Sequence, residues 1–145
     1  MKITLLIILA FFLLLTTARS ENAESVKSSY EHKVIGVATY YTKESCQREG
    51  TSGILMASNK PYVESAMTCA LPFHPPIKNN RRQWGQEYKI TCLVSGKCIK
   101  VKHMDYGPGK KAQARGVIID LTPAAFKKLC PLRKGRVKVR VERVR

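Results

Sequence analysis

Two stretches joined by a short loop, His103-Met104-Asp105-Tyr106-Gly107-Pro108-Gly109 and Arg115-Gly116-Val117-Ile118-Ile119-Asp120-Leu121-Thr122-Pro123, decide how the chain reads. They hold its only two aspartates, each at the end of an apolar or alternating run. Asp105 follows Cys98-Ile99-Lys100-Val101-Lys102-His103-Met104, which has the two-residue period of a half-buried strand. On a regular strand His103, two residues earlier, shares a face with Asp105. Gly-Pro-Gly then breaks the strand into a loop. Asp120 ends Val117-Ile118-Ile119 just before a helix start, where Thr122 suits the N-cap and Pro123 the first helical position. Two carboxylates at two strand ends, linked by a Gly- and Lys-rich loop, can face one groove, a candidate acid/base site. Aspartate also serves turns, because its side chain binds nearby N–H groups, so the pattern alone leaves a structural role open for both.

Outward from these stretches the same short-strand rhythm continues. Glu87 to Val94 alternates, and Ser95-Gly96 is a two-residue hairpin link into Lys97 to Met104. Val34 to Tyr41 is rich in β-formers, while Ile54 to Ala57 and Ser65 to Thr68 are short candidates. Ala124 to Leu129 is the one convincing helix, with Ala125, Phe126 and Leu129 facing inward. Gly135 to Arg145 sets Val137, Val139 and Val141 against Arg, Lys and Glu, a half-buried strand with a basic outer face. Many short strands and one small helix imply a mainly β fold, a closed or nearly closed barrel.

Met1 to Ser20 reads as a secretory leader: Lys2, an apolar run from Ile3 to Leu15, then Ala18-Arg19-Ser20 for cleavage. The run is short for a membrane span, and no later segment matches it. Residues 21–33 are polar and aperiodic, a flexible lead-in, and residues 34–145 form one domain. Removing Lys2 and Arg19 leaves 24 of the 26 basic residues against 10 acidic ones, a formal charge of +14. Such a field draws polyanions. Secretion and the lack of aromatics among the basic runs argue against nucleic acid. The expected product is a secreted, extracellular or periplasmic monomer with no transmembrane segment.

Five cysteines cannot all pair within one chain. Cys92 and Cys98 lie on the two arms of the hairpin, so a bridge is expected there if their registers match. That leaves Cys46–Cys69 as the second pair and Cys130 unpaired. No His/Cys cluster has metal-ligand spacing, so neither a metal nor a cofactor is implied.

Gly36-Val37-Ala38-Thr39-Tyr40-Tyr41, Ala70-Leu71-Pro72-Phe73, Asp105-Tyr106-Gly107-Pro108 and Gly116 to Phe126, in that order, resemble the RlpA-like (rare lipoprotein A) family, related to expansin first domains and barwin-like proteins. The resemblance covers about Val34 to Val144. It implies a six-stranded double-psi β-barrel acting on cell-wall polysaccharide, peptidoglycan or an acidic glycan. RlpA-type proteins are lytic transglycosylases, whereas expansins loosen walls without established hydrolysis. Carried over residue by residue, it makes Asp105 and Asp120 catalytic and Thr39, Tyr41, Thr68, His103 and Tyr106 substrate-binding. Thr68 stands where the family's catalytic histidine belongs, with His74 and His103 as the substitutes within reach. The expected activity is transglycosylase-like cleavage with an aspartate acid/base. The alternative is a non-catalytic wall binder or loosener, or a basic protein that coats microbial surfaces.

Overall fold

The valine alternation after Gly135 belongs to the last strand of a closed barrel. The computed structural model describes Tyr30 and residues 33–145. The expected leader and most of the lead-in lie outside the described residues. In chain order the elements are β1 (Val34–Tyr40), α1 (Lys43–Arg48), β2 (Thr68–Leu71), β3 (Ile77–Lys78), β4 (Arg81–Arg82), β5 (Glu87–Cys92) and β6 (Cys98–Tyr106). There follow α2 (Lys110–Gln113), β7 (Val117–Leu121), α3 (Pro123–Leu129), a 3-10 turn at Leu132–Lys134 and β8 (Arg136–Arg143). Six strands close in the order β1-β7-β2-β6-β5-β8, and β3 and β4 form a separate small hairpin. β1 with β7 and β2 with β6 run parallel, and the other barrel pairs are antiparallel.

The barrel interior is the inward half of each alternating strand. Ile99 and Val101 of β6, Val117, Ile119 and Leu121 of β7, and Val139 and Val141 of β8 are all buried. Helix α3 closes one end with Ala125, Phe126 and Leu129, and the Phe126 ring lies 5.0 Å from that of Tyr40. Pro123 opens that helix at its first turn, but Thr122 does not cap it with its side chain. Its fully buried hydroxyl donates instead to the Ala66 carbonyl at 2.5 Å, tying the helix start to the segment before β2. Tyr30 is also part of the core. Its ring lies 5.0 Å from Phe73, and its hydroxyl donates to the Ile118 carbonyl at 2.5 Å.

Local readings shift where loops take over. Ile54 to Ala57 makes a single bridge, Leu55 to Pro61, rather than a strand. A turn there, with the Met56 N–H on the Lys60 carbonyl, buries Met56. The strand expected over residues 65–68 begins only at Thr68.

Neither expected disulfide is present, and all five cysteines are free thiols. Register explains the first. Cys98 stands opposite Thr91, so Cys92, one residue on, points to the other face and is buried while Cys98 is exposed. For the second, Cys69 is enclosed in the barrel with no exposed surface, while Cys46 sits on α1 outside it.

Candidate functional site

Strand register builds the site. Thr39 of β1 stands opposite Asp120 of β7, Asp120 opposite Ala70 of β2, and Ala70 opposite Asp105 of β6. Residues level with one another across a sheet share a face. The two aspartates are therefore two strands apart on one surface, roughly 10 Å between Cα atoms at the usual strand spacing. Ala70 stands between them in the register.

Asp105 reaches that surface through a bulge. Cys69 pairs with His103 and the next residue, Ala70, with Asp105, so Met104 is an extra residue on β6. The insertion reverses the alternation. His103 stays inside, 1% exposed, while Asp105 turns out into the groove. The expectation that they share a face is corrected by this one residue. The bulge leaves the Met104 carbonyl free of the ladder, and the Ser58 N–H donates to it at 3.2 Å.

The two carboxyl groups then sit differently. Asp105 Oδ1 accepts from the Ala57 N–H at 3.0 Å and the Tyr106 N–H at 2.9 Å. Burial pushes its pKa above the usual value, and those two N–H groups pull against it. The nearby Tyr41 hydroxyl pulls the same way, although it falls short of a hydrogen bond and its oxygen is buried without a partner. Asp120 Oδ1 accepts from the Thr39 hydroxyl. Burial lifts its pKa to about 6 against that hydrogen bond, with the Glu49 charge adding to the rise. The helix start and Lys110, Lys111 and Arg115, which should favour the ionised form, do not offset the burial. Two strands of separation keep the two carboxyl groups from forming a directly hydrogen-bonded pair. Gly107 (φ 149°) lets the chain pass Asp120 closely: a Cβ there would lie 3.1 Å from Oδ2.

These residues floor a groove of about 1550 Å³. Residues 41–62 form one wall, with Tyr41, Cys46, Glu49 and Tyr62; the Tyr62 hydroxyl donates to the Tyr41 carbonyl at 2.5 Å. Tyr106 and His74 stand at another side, ring centroids 4.1 Å apart, and Trp84 backs Tyr106 at 5.2 Å. Of the residues singled out from sequence, Thr39, Tyr41, Asp105, Tyr106 and Asp120 line the groove. Thr68 and His103 do not. Thr68 is half-buried, its hydroxyl 4.0 Å from the Met56 sulfur. His103 packs among Phe73, Trp84 and Tyr88, its Nε2 3.1 Å from the Asp105 carbonyl oxygen, and burial lowers its pKa to about 4. It is a neutral core histidine. Cys46, Glu49 and Tyr62 escaped the sequence reading because no periodicity or motif marks their loop. No group of three or more His, Cys, Asp or Glu among the described residues could hold a metal ion.

No family model and no curated protein matches the chain. Among solved structures, it is similar to the Streptomyces papain inhibitor, at TM-score 0.56 and 26% identity over 79% of this chain and 96% of that one. It is also similar to an expansin of Clavibacter michiganensis, at TM-score 0.52 and 20% identity over 78% of this chain. A mutant of that expansin, solved in complex with cellohexaose, matches equally well. The fold is the RlpA-like, expansin-like double-psi β-barrel. This chain spans 50% of the expansin chain, so the expansin likeness speaks to architecture.

Proposed function

We propose that the groove over Asp120 and Asp105 binds an extended cell-wall polysaccharide strand outside the cell, without cleaving it. Residues 34–145 are the working unit and residues 1–20 the leader. The observation that carries this reading is the open groove itself, with Tyr41, Tyr62 and the Tyr106–His74 pair offering ring faces and edges along a polar floor. Sugar rings present apolar faces between hydroxyl groups, and such walls suit them. The expansin solved with cellohexaose supports the same ligand class on the same fold. Against cleavage stands the state of the two carboxyl groups. Asp105 is engaged by backbone N–H groups, and Thr68 occupies the histidine position away from the groove. A hydrolase needs a second carboxylate to activate water.

Transglycosylase-like cleavage, the finer reading, needs one acid/base group, and Asp120 near 6 could be that group. Co-sedimentation with several insoluble wall polysaccharides, followed by mass analysis of the supernatant, tests both. Retention without soluble fragments is expected, with Tyr106→Ala weakening it. Anhydro-ended products that vanish in Asp120→Asn would establish cleavage. Failure to bind any wall polymer would remove the reading altogether.

A second reading, inhibition of a papain-like cysteine protease, is favoured by the likeness to the Streptomyces inhibitor along nearly that protein's whole length. A papain activity assay with increasing amounts of this protein decides it.

A further inference from the structure

Charge inside the groove is sorted. Asp105, Asp120 and Glu49 occupy the floor and the α1 side, while Lys110, Lys111, Arg115, Lys134 and Arg136 also line the groove, from other segments. All five cations are exposed, and they form no ion pair among the described residues. They come from two segments, α2 with the turn after it and the stretch from the 3-10 turn into β8. One hydrogen bond joins these segments, from Arg136 Nη2 to the Arg115 carbonyl at 3.2 Å. None of them forms an ion pair with Asp105 or Asp120 on the floor. A run of unpaired cations facing a channel is charge held ready for a ligand.

We propose that the strand bound in this groove is a polyuronate, a glycan carrying a carboxylate on each sugar, and that the wall of Lys110, Lys111, Arg115, Lys134 and Arg136 takes those carboxylates. This rests on the polysaccharide-binding reading and narrows its ligand. A neutral glucan would leave five like charges side by side along one wall without a counter-charge. A polyuronate neutralises them along one edge, and its sugar rings and hydroxyl groups meet Tyr106 and the floor. Arginine and lysine both suit the task, arginine giving two-point contacts to a carboxylate. A nucleic acid would satisfy the charge but finds no stack of exposed aromatics interleaved with it.

The test is binding of polygalacturonate, of the same polymer fully methyl-esterified, of a cello-oligosaccharide and of single-stranded DNA. Each is measured by titration at low and at ordinary salt. The doubly reversed variant Lys134→Glu/Arg136→Glu is compared with Lys127→Glu/Lys128→Glu, which makes the same change in net charge on α3, outside the groove. Polygalacturonate should bind best, with a steep loss in salt. The groove pair should weaken it roughly ten-fold or more, while the α3 pair changes it far less. Should the groove pair unfold, Lys134→Gln/Arg136→Gln replaces it, with the same expectation in smaller measure.

Equal binding of the esterified polymer or the cello-oligosaccharide would overturn the polyuronate assignment and leave the polysaccharide reading standing. Equal loss in both charge-reversed pairs would overturn the site, showing attraction by net charge alone. DNA bound more tightly than polygalacturonate, and lost in the groove pair, would assign the wall to nucleic acid instead. No binding of any glycan would defeat this inference together with the reading beneath it.

Discussion

Asp120→Asn should make the protein more stable at neutral pH. The folded protein holds this carboxyl near pKa 6, against an ordinary value of 3.8. Between those values the folded state keeps a proton that the unfolded chain has released, so the group's contribution to stability falls as pH rises from 3.8 to about 6. At 1.36 kcal/mol per unit, the loss is about 3 kcal/mol, fully incurred above pH 6. Asparagine cannot titrate, and its carbonyl oxygen can still accept from the Thr39 hydroxyl. The variant should therefore match wild type near pH 3.5 and exceed it at pH 7.5 by about 2–3 kcal/mol, or roughly 10 °C in melting temperature. His103 makes the comparison with wild type necessary. Its pKa is lowered from 6.5 to about 4, so the stability it contributes is lost as pH falls through that window, opposite in sign to Asp120. In wild type the two trends largely cancel, and in Asp120→Asn the histidine trend should stand exposed. Urea denaturation at half-unit steps from pH 3.5 to 8 measures both curves. A difference between the curves that does not change with pH, or a variant less stable than wild type at pH 7.5, would refute the assignment of Asp120 as the buried acid.

Asp105 should respond differently. Asp105→Asn keeps an oxygen for the Ala57 and Tyr106 N–H groups and should cost little. Asp105→Ala leaves both exposed N–H groups to water and should cost about 1–2 kcal/mol in urea titrations, with faster proteolysis of residues 49–62. Tyr30→Ala removes a buried ring and the bond to the Ile118 carbonyl, and should lower stability by about 3 kcal/mol; a change under about 1 kcal/mol would place Tyr30 outside the core. Oxidation with glutathione disulfide should join Cys92 to Cys130 rather than to Cys98. The Cys92 charge helps raise the Cys130 pKa, and Ser95 joins the two neighbourhoods, its N–H on the Cys92 sulfur at 3.4 Å and its hydroxyl on the Leu129 carbonyl at 3.3 Å. Peptide mapping that found Cys92–Cys98 would contradict the register.

What the sequence disclosed follows its periodicities. Alternation at Glu87 to Met104 and after Gly135, and the Thr122-Pro123 helix start, each located an element because one face of it is buried. The carboxylates at two strand ends were legible for the same reason, since each follows a run that must enter the core. The bulge at Met104 was not legible. Nothing in Lys102-His103-Met104-Asp105 distinguishes a regular strand from one with an inserted residue, and the insertion is decided by how β2 pairs alongside and by Ser58, 46 residues upstream, reaching the Met104 carbonyl. Residues 41–62 were unreadable on similar grounds. They have little regular structure beyond α1 and are fixed by single contacts to distant strands. The disulfide reading failed through register, because hairpin spacing places two cysteines on facing arms but only the pairing decides whether they share a face.

The bulge also separates what the two aspartates do. Without it Asp105 would follow His103 into the barrel, among Phe73, Trp84 and Tyr88, where an ionised carboxylate has no compensating charge. Turned outward, it spends its Oδ1 on the Ala57 N–H and so holds the loop that walls the groove. Asp105 therefore positions the loop through Oδ1 while it also lines the groove. Asp120 spends one oxygen on Thr39 and presents the other beside Gly107, where no side chain intervenes. A defect caused by Asp105 should thus be rescued by any residue that keeps an acceptor at Oδ1. A defect caused by Asp120 should track the titratable proton itself, whether the proposed polysaccharide ligand is only held or also cut.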